Sequence, residues 1–460
     1  MKHQDRLLRL VGYALVALVL AGLFGRLRLH EVNDSPSYLN YPFDSLSAAM
    51  ASIRTPAYPL FLAIVGSTIG LSFVPTLQVL LHAFSAWFLG EELLERKMPE
   101  WSALGAGAAV LVGCTPTDHI HTISTDAPAA SLGVVVVVLL LRATRLQHWS
   151  WWVACGTVTL LTIFVRPAYL FLLVWLPVIG ALLHRHDRGM SLLRGNPKLR
   201  IWHASITAAA VLGALLVWMT ARHLVVHDFG LVPFGHQNLS AVLVQTVPRS
   251  KLNRLRGHGG ELATLVAEKM AATGFEMADE RSSLATMQIE SQWGRINYEI
   301  IIPTARELES AQESDIALAV REHRRIAAMN SAILSSSPKG YFRWLMLAAR
   351  RAVWGSAANI AMHPIFLSLI IAGSMALVVR VSSGTAMTPM VLPPGWSAFA
   401  LVAVSYAFFK IGFVILSSPP LGRFADAGAI FLPALAASLI FQPHRDSIDR
   451  ATRRLLRAEQ

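Results

Sequence analysis

The sequence predicts an all-α polytopic membrane protein with about ten transmembrane helices, juxtamembrane helices and a mainly helical extracytoplasmic insertion. Three observations carry that expectation. Of the 460 residues, 54% are hydrophobic and only 15% are charged, against about 25% charged in soluble domains. Apolar runs close to the ~20 residues that cross a hydrocarbon core recur along the chain. The basic residues behind the net charge of +12 lie between those runs rather than in one patch, which argues for a membrane rather than a nucleic-acid partner. This composition sets aside a soluble enzyme and a disordered chain alike.

The runs fall at 10–29, 75–94, 101–116, 126–143, 150–165, 167–183, 202–221, 361–380, 397–417 and 427–442. The first follows Lys2, Arg6 and Arg9 as a signal peptide would, yet no small-residue cleavage site comes after it, so it reads as an uncleaved span. An eleventh run, 58–74, is decided by the excess of Lys and Arg in cytoplasmic loops. Taken as non-spanning, it leaves Arg142, Arg145, Arg185, Arg188, Arg194, Lys198 and Arg200 on the cytoplasmic side, with the tail residues Arg445, Arg450, Arg453, Arg454 and Arg457. Pro56 and Pro59 suit a helix start, so a juxtamembrane or re-entrant helix is expected there. Both termini are then cytoplasmic, and the setting is a bacterial inner membrane.

Four parts follow: an N-terminal transmembrane module (1–220) with an outer loop at 30–74, an extracytoplasmic segment (221–361), C-terminal transmembrane helices (362–442) and a basic cytoplasmic tail (443–460). The 221–361 segment nearly balances its charges and shows helical patterning at 261–270 and 315–333. The stretch 341–354, with Arg343, Arg350 and Arg351 among Trp and Leu, reads as an interfacial amphipathic helix. Cys114 and Cys155 lie in apolar runs without CxxC spacing and read as packing residues.

Polar residues gather at the outer ends of these runs, and a charge in or near a bilayer defaults to a functional hypothesis. The first outer loop holds Asp34, Tyr38 and then Arg54-Thr55-Pro56-Ala57-Tyr58-Pro59. The next outer turn runs from Asp118 through His119 and His121 to Thr125-Asp126. Arg166-Pro167 forms a third, and Arg423 follows Pro419-Pro420-Leu421-Gly422 in the last.

This order of motifs resembles the GT-C superfamily of membrane glycosyltransferases, which includes protein O-mannosyltransferases and the aminoarabinose transferases of lipid A. The matching features are an acidic residue and a Tyr after the first span (Asp34, Tyr38), a basic-Pro-x-Tyr-Pro stretch (Arg54 to Pro59), Thr125-Asp126 and Arg166-Pro167. The resemblance covers residues 1 to about 220 and, less closely, the final spans. Several members of that superfamily carry adjacent acidic residues in the first loop; here Asn33 and Ser35 flank Asp34, leaving one candidate base. The resemblance implies an inverting transferase that moves a sugar from a polyprenyl-phosphate donor to a glycan, lipid or protein acceptor on the extracytoplasmic side. No cofactor is expected, membrane lipids are the expected surroundings, and the placement of the charges between apolar runs gives no nucleic-acid partner.

For such a transfer one carboxylate suffices, because phosphate is already a good leaving group. Asp34 is either that base or a cap ahead of Pro36. Arg54, Arg166 and Arg423 either fork onto a phosphate or snorkel to lipid headgroups. Asp126 either orients substrate or caps a helix; Tyr38 and Tyr58 complete the expected substrate-binding set. Asp118, His119 and His121 either hold a divalent metal or form a plain exposed turn. Asn33-Asp34-Ser35 and Asn238-Leu239-Ser240 match the N-glycosylation pattern and read as coincidence in a chain of bacterial style. Two rival functions stand beside transfer. A transporter or flippase would place polar residues near the bilayer midplane, and an O-antigen polymerase or ligase would place its arginines late in the chain.

Overall fold

The computed structural model describes residues 3–113, 118–188, 197–275, 284–311, 314, 316–382, 394–422 and 427–440. Its described elements are helical throughout, with one isolated parallel bridge between His30 and Thr122. The most enclosed helix is Asp126–Leu146, 89% of whose apolar window is buried. Its run of Val134 to Leu141 is apolar on every side, as a helix surrounded by protein must be. Helix Val74–Glu95 packs on it, on the N-terminal helix His3–Leu23 and on Glu100–Leu111. Small residues permit that last contact: Ala83, Ala86 and Gly90 face Ala103, Ala106 and Gly107, and a Cβ at Gly107 would strike the Tyr13 ring and the Ala86 carbonyl.

Among the described residues, five helices are long and apolar enough to cross a membrane: His3–Leu23, Leu71–Glu95, Asp126–Leu146, Trp202–Val226 and Gly395–Ile415. A sixth would count the pair Pro338–Met362 and Pro364–Met375, which is bent by 81°. This makes the protein membrane-associated, and it corrects the expectation of about ten spans. The apolar runs at 101–116 and 150–165 become helices of 12 and 17 residues, Glu100–Leu111 and Trp149–Val165, about 18 and 26 Å long against a core of about 30 Å. The run at 427–442 contains the ten-residue helix Phe431–Ile440. At 361–380 the chain turns sharply, because His363 precedes Pro364 and takes an extended conformation. Hydropathy counts an apolar side chain whether lipid or protein covers it, and here protein covers much of it. The likeness to the GT-C superfamily, a many-span multi-pass architecture, falls with that count. Five or six candidate spans and an extensive network of buried ion pairs stand in its place.

That network is concentrated where the far ends of three helices meet. Glu92, fully buried, accepts from Arg142 Nε at 3.0 Å and from Arg145 Nε and Nη2 at 2.8 and 2.9 Å. Arg9 Nε lies 2.6 Å from Glu91, and Arg6 pairs with Glu95. Arg142 also stacks over Phe88 and Trp151.

A second apolar cluster is built by helices His236–Leu243, Gly257–Ala272, Ala285–Arg295 and Leu318–Ser336, through Leu262, Val266, Ile289, Ile296, Ile326 and Met329. Beside it, the rings of His236 and His323 lie 4.6 Å apart. Burial, and then the charge of His236, pushes His323 down to about 4.

Two consequences can be measured. Glu92→Gln leaves arginines facing a neutral partner inside the bundle, a change that costs about 3 to 5 kcal/mol; a clear fall in thermal midpoint in detergent is expected, and an unchanged midpoint contradicts the clamp. An unfolded His binds its proton near 6.5, but folded His323 does so only near 4. Stability present above pH 6.5 is therefore lost as pH falls toward 4, by up to about 3 kcal/mol. Thermal unfolding at pH 7.5 and 5 should show about 2 kcal/mol of this drop in wild type and a smaller one in His323→Gln.

Candidate functional site

The chain enters the site through backbone pairing. His30 N donates to His121 O and Ile123 N to His30 O, each at 3.0 Å, which lays the first loop along the turn that starts helix Asp126–Leu146. Ser35 Oγ donates to Ile123 O at 2.8 Å, and Gln78 Nε2 holds the same turn through Ile120 O and Thr122 O. Asp34 and Asp126, 92 positions apart in the chain, thereby come to line one cavity.

The cavity has a volume of about 280 Å³, near the lower end of small-molecule sites, so it fits a headgroup rather than a whole lipid. Asp34, Tyr38, Arg54, Asp126 and Arg166 all line it. Asp34 occupies the N-cap position of helix Ser35–Leu39 but makes no side-chain cap hydrogen bond. Its Oδ1 instead accepts from Arg54 Nη2 at 2.8 Å. Arg54 Nε donates to Ser37 Oγ at 2.8 Å, and its guanidinium lies 4.3 Å over the Tyr38 ring. Tyr38 is buried, with its hydroxyl 3.3 Å from Thr125 Oγ1, and burial pushes the phenol up so that it stays protonated.

The second pair forms where a helix is forced to stop. Arg166 precedes Pro167, takes an extended conformation and ends helix Trp149–Val165; a 3₁₀ turn, Pro167–Tyr169, follows. This turns Arg166 Nη1 to within 2.9 Å of Asp126 Oδ1 and 3.0 Å of Thr125 Oγ1. The same turn offers the Ala168 carbonyl to Lys410 Nζ, which donates to it at 3.0 Å and lies 3.8 Å over the Tyr169 ring.

Of the other expected residues, Tyr58 is buried behind the lining, edge-on to Tyr38 with centroids 5.2 Å apart, and bonded to Gln78. Arg423 lies outside the described residues. The turn with Asp118, His119 and His121 faces a cation: Arg26 Nη1 donates to Asp118 O at 3.0 Å and sits 3.3 Å from His121 Nδ1. Among the described residues no group of three or more His, Cys, Asp or Glu side chains is arranged to hold a metal.

Sequence reasoning missed Lys410, Tyr169, Asn238, Trp293 and Tyr298, which also line the cavity. Lys410 carried a signal, as the one charge inside the apolar run 397–417. Among the described residues, three basic side chains, Arg54, Arg166 and Lys410, thus meet two carboxylates in the lining. Both arginines are paired, whereas among the described residues no carboxylate pairs with Lys410. No protein-family model matches the sequence, and no curated protein matches it either.

Proposed function

We propose that the cavity is the site of an inverting glycosyl transfer from a polyprenyl-phosphate sugar to a hydroxyl acceptor on the extracytoplasmic side of a bacterial inner membrane. The observation that carries this reading is the meeting, in one headgroup-sized cavity beside membrane helices, of an oriented carboxylate with three basic side chains among the described residues. A phosphate brought into a low-dielectric cavity needs positive charge and directed donors; Arg54 and Arg166 bring charge to the lining, and the Lys410 amine, with which no carboxylate pairs among the described residues, adds a donor.

In the proposed step Asp34 takes the proton of the acceptor hydroxyl. The acceptor oxygen forms its bond to the anomeric carbon as the bond from that carbon to the phosphate oxygen breaks, and the phosphate leaves with the electron pair. Arg54 keeps the Asp34 carboxylate aimed. Arg166 and Lys410 stabilise charge developing on the phosphate, and Tyr38 and Tyr169 form the aromatic floor against which the cations rest.

Transfer is to be assayed with protein in nanodiscs, a panel of short polyprenyl-phosphate sugars and mass spectrometry of products. Asp34→Asn keeps an acceptor for Arg54 but is a far weaker base, so it should bind donor normally while turnover falls about 10²- to 10⁴-fold; Asp44→Asn, exposed in the same loop, should stay active. Near-wild-type turnover in Asp34→Asn removes the base from the mechanism.

Lys410→Met gives an independent check, because it separates binding from folding. Loss of a charge-assisted contact of about 1.5 to 3 kcal/mol should weaken donor binding roughly ten- to a hundred-fold. The thermal midpoint should hold or rise, since a buried polar amine with no carboxylate partner among the described residues is replaced by an apolar side chain. Unchanged donor affinity in this variant contradicts the phosphate assignment.

A further inference from the structure

The cavity wall opposite in origin to the membrane helices comes from the 221–361 segment, through Asn238, Trp293 and Tyr298. Trp293 belongs to helix Ala285–Arg295, which passes into a π-helical turn, Ile296–Ile301, before continuing as Ile302–Ser310. In a regular α-helix, residues five apart point about 140° away from each other. A π turn closes the backbone from i to i+5, and such turns recur at functional sites. Here Trp293 and Tyr298 both reach the cavity, edge to face, with ring centroids 6.2 Å apart.

The same turn places Asn297, fully buried, with its Nδ2 donating to Asn238 Oδ1 at 3.2 Å. Trp293 Nε1 donates to the Asn238 carbonyl at 3.0 Å. Asn238 is thus fixed at both its backbone and its side chain, and the neighbouring Ser240 Oγ is committed to Asn330 and the His236 carbonyl. The Asn238-Leu239-Ser240 tripeptide is therefore occupied in wall-building. Beside it stand one buried and one half-exposed aromatic ring, Trp293 at 4% and Tyr298 at 48% exposure.

We propose that this wall, shaped by the π-helical turn, binds a sugar ring within the cavity. Aromatic faces pack on the C–H-rich face of a pyranose or furanose, while a fixed carboxamide selects hydroxyls by direction. The proposal rests on the glycosyl-transfer reading for its setting but not for its test. The ring belongs either to the donor or to the acceptor.

The test uses the full chain in nanodiscs and saturation-transfer NMR with methyl glycosides of mannose, glucose, galactose and arabinose. At least one glycoside should receive saturation at its ring protons. Tyr298→Ala should weaken its apparent affinity about tenfold, whereas Tyr298→Phe, which keeps the ring, should hold it within about twofold; Asn238→Ala should weaken it too. Adding a short polyprenyl-phosphate mannose distinguishes the source: displacement of the glycoside assigns the wall to the donor sugar, simultaneous binding assigns it to the acceptor, and either supports the wall. Absence of glycoside binding by wild type, with and without that donor, overturns it, as does unchanged affinity in Tyr298→Ala. Glycoside binding sensitive to Tyr298, in a protein that transfers no sugar, sinks the transferase reading while leaving the wall standing.

Discussion

A charge can lie against a buried apolar helix only if something pairs with it, and that constraint organises this protein around helix Asp126–Leu146. Its charged residues stand only at its two ends, about 30 Å apart for 21 residues. At one end Arg142 and Arg145 close on Glu92; at the other Asp126 closes on Arg166. The helix is pinned along its axis by ion pairs whose rupture would strand charge in a low dielectric. The pinning sets Thr125 and Asp126 at the cavity, and the first loop follows because its backbone pairs with the turn leading into them. Lys410 departs from the rule. A carbonyl and an aromatic face hold it where a carboxylate would be expected.

Asp34, Tyr38, Arg54, Asp126 and Arg166 stand out in the sequence because polar residues gather at the outer ends of apolar runs and because their order resembles the GT-C motifs, and all five line one cavity. The cap reading of Asp34 does not hold, since its carboxylate goes to Arg54 and makes no side-chain cap bond to its helix. Lys410 is readable as the lone charge in the apolar run 397–417. Asn238, Trp293 and Tyr298 were not readable, because the residue pattern around Ile296 is that of an ordinary helix and only the backbone reveals the π turn.

The fold was legible as helical and membrane-associated, and the number of spans was not. Trp149–Val165 shows why: its sequence is apolar from end to end, yet it stops at Arg166-Pro167 after 17 residues. The stop that shortens the helix is also what delivers Arg166 to Asp126 and the Ala168 carbonyl to Lys410. Span length here is subordinate to construction of the cavity. The hydropathy profile records the apolar residues but not this trade.

The account's central claim is that the cavity between Asp34, Arg166 and Lys410 receives a lipid-linked sugar phosphate. The most direct measurement is an electron cryomicroscopy structure of the protein in nanodiscs with a non-transferable polyprenyl phosphonate sugar. The account predicts phosphonate density within hydrogen-bond reach of Lys410 Nζ and the Arg166 guanidinium, with the anomeric carbon on the Asp34 side. Density for the phosphonate at any other place, with this cavity empty, contradicts it.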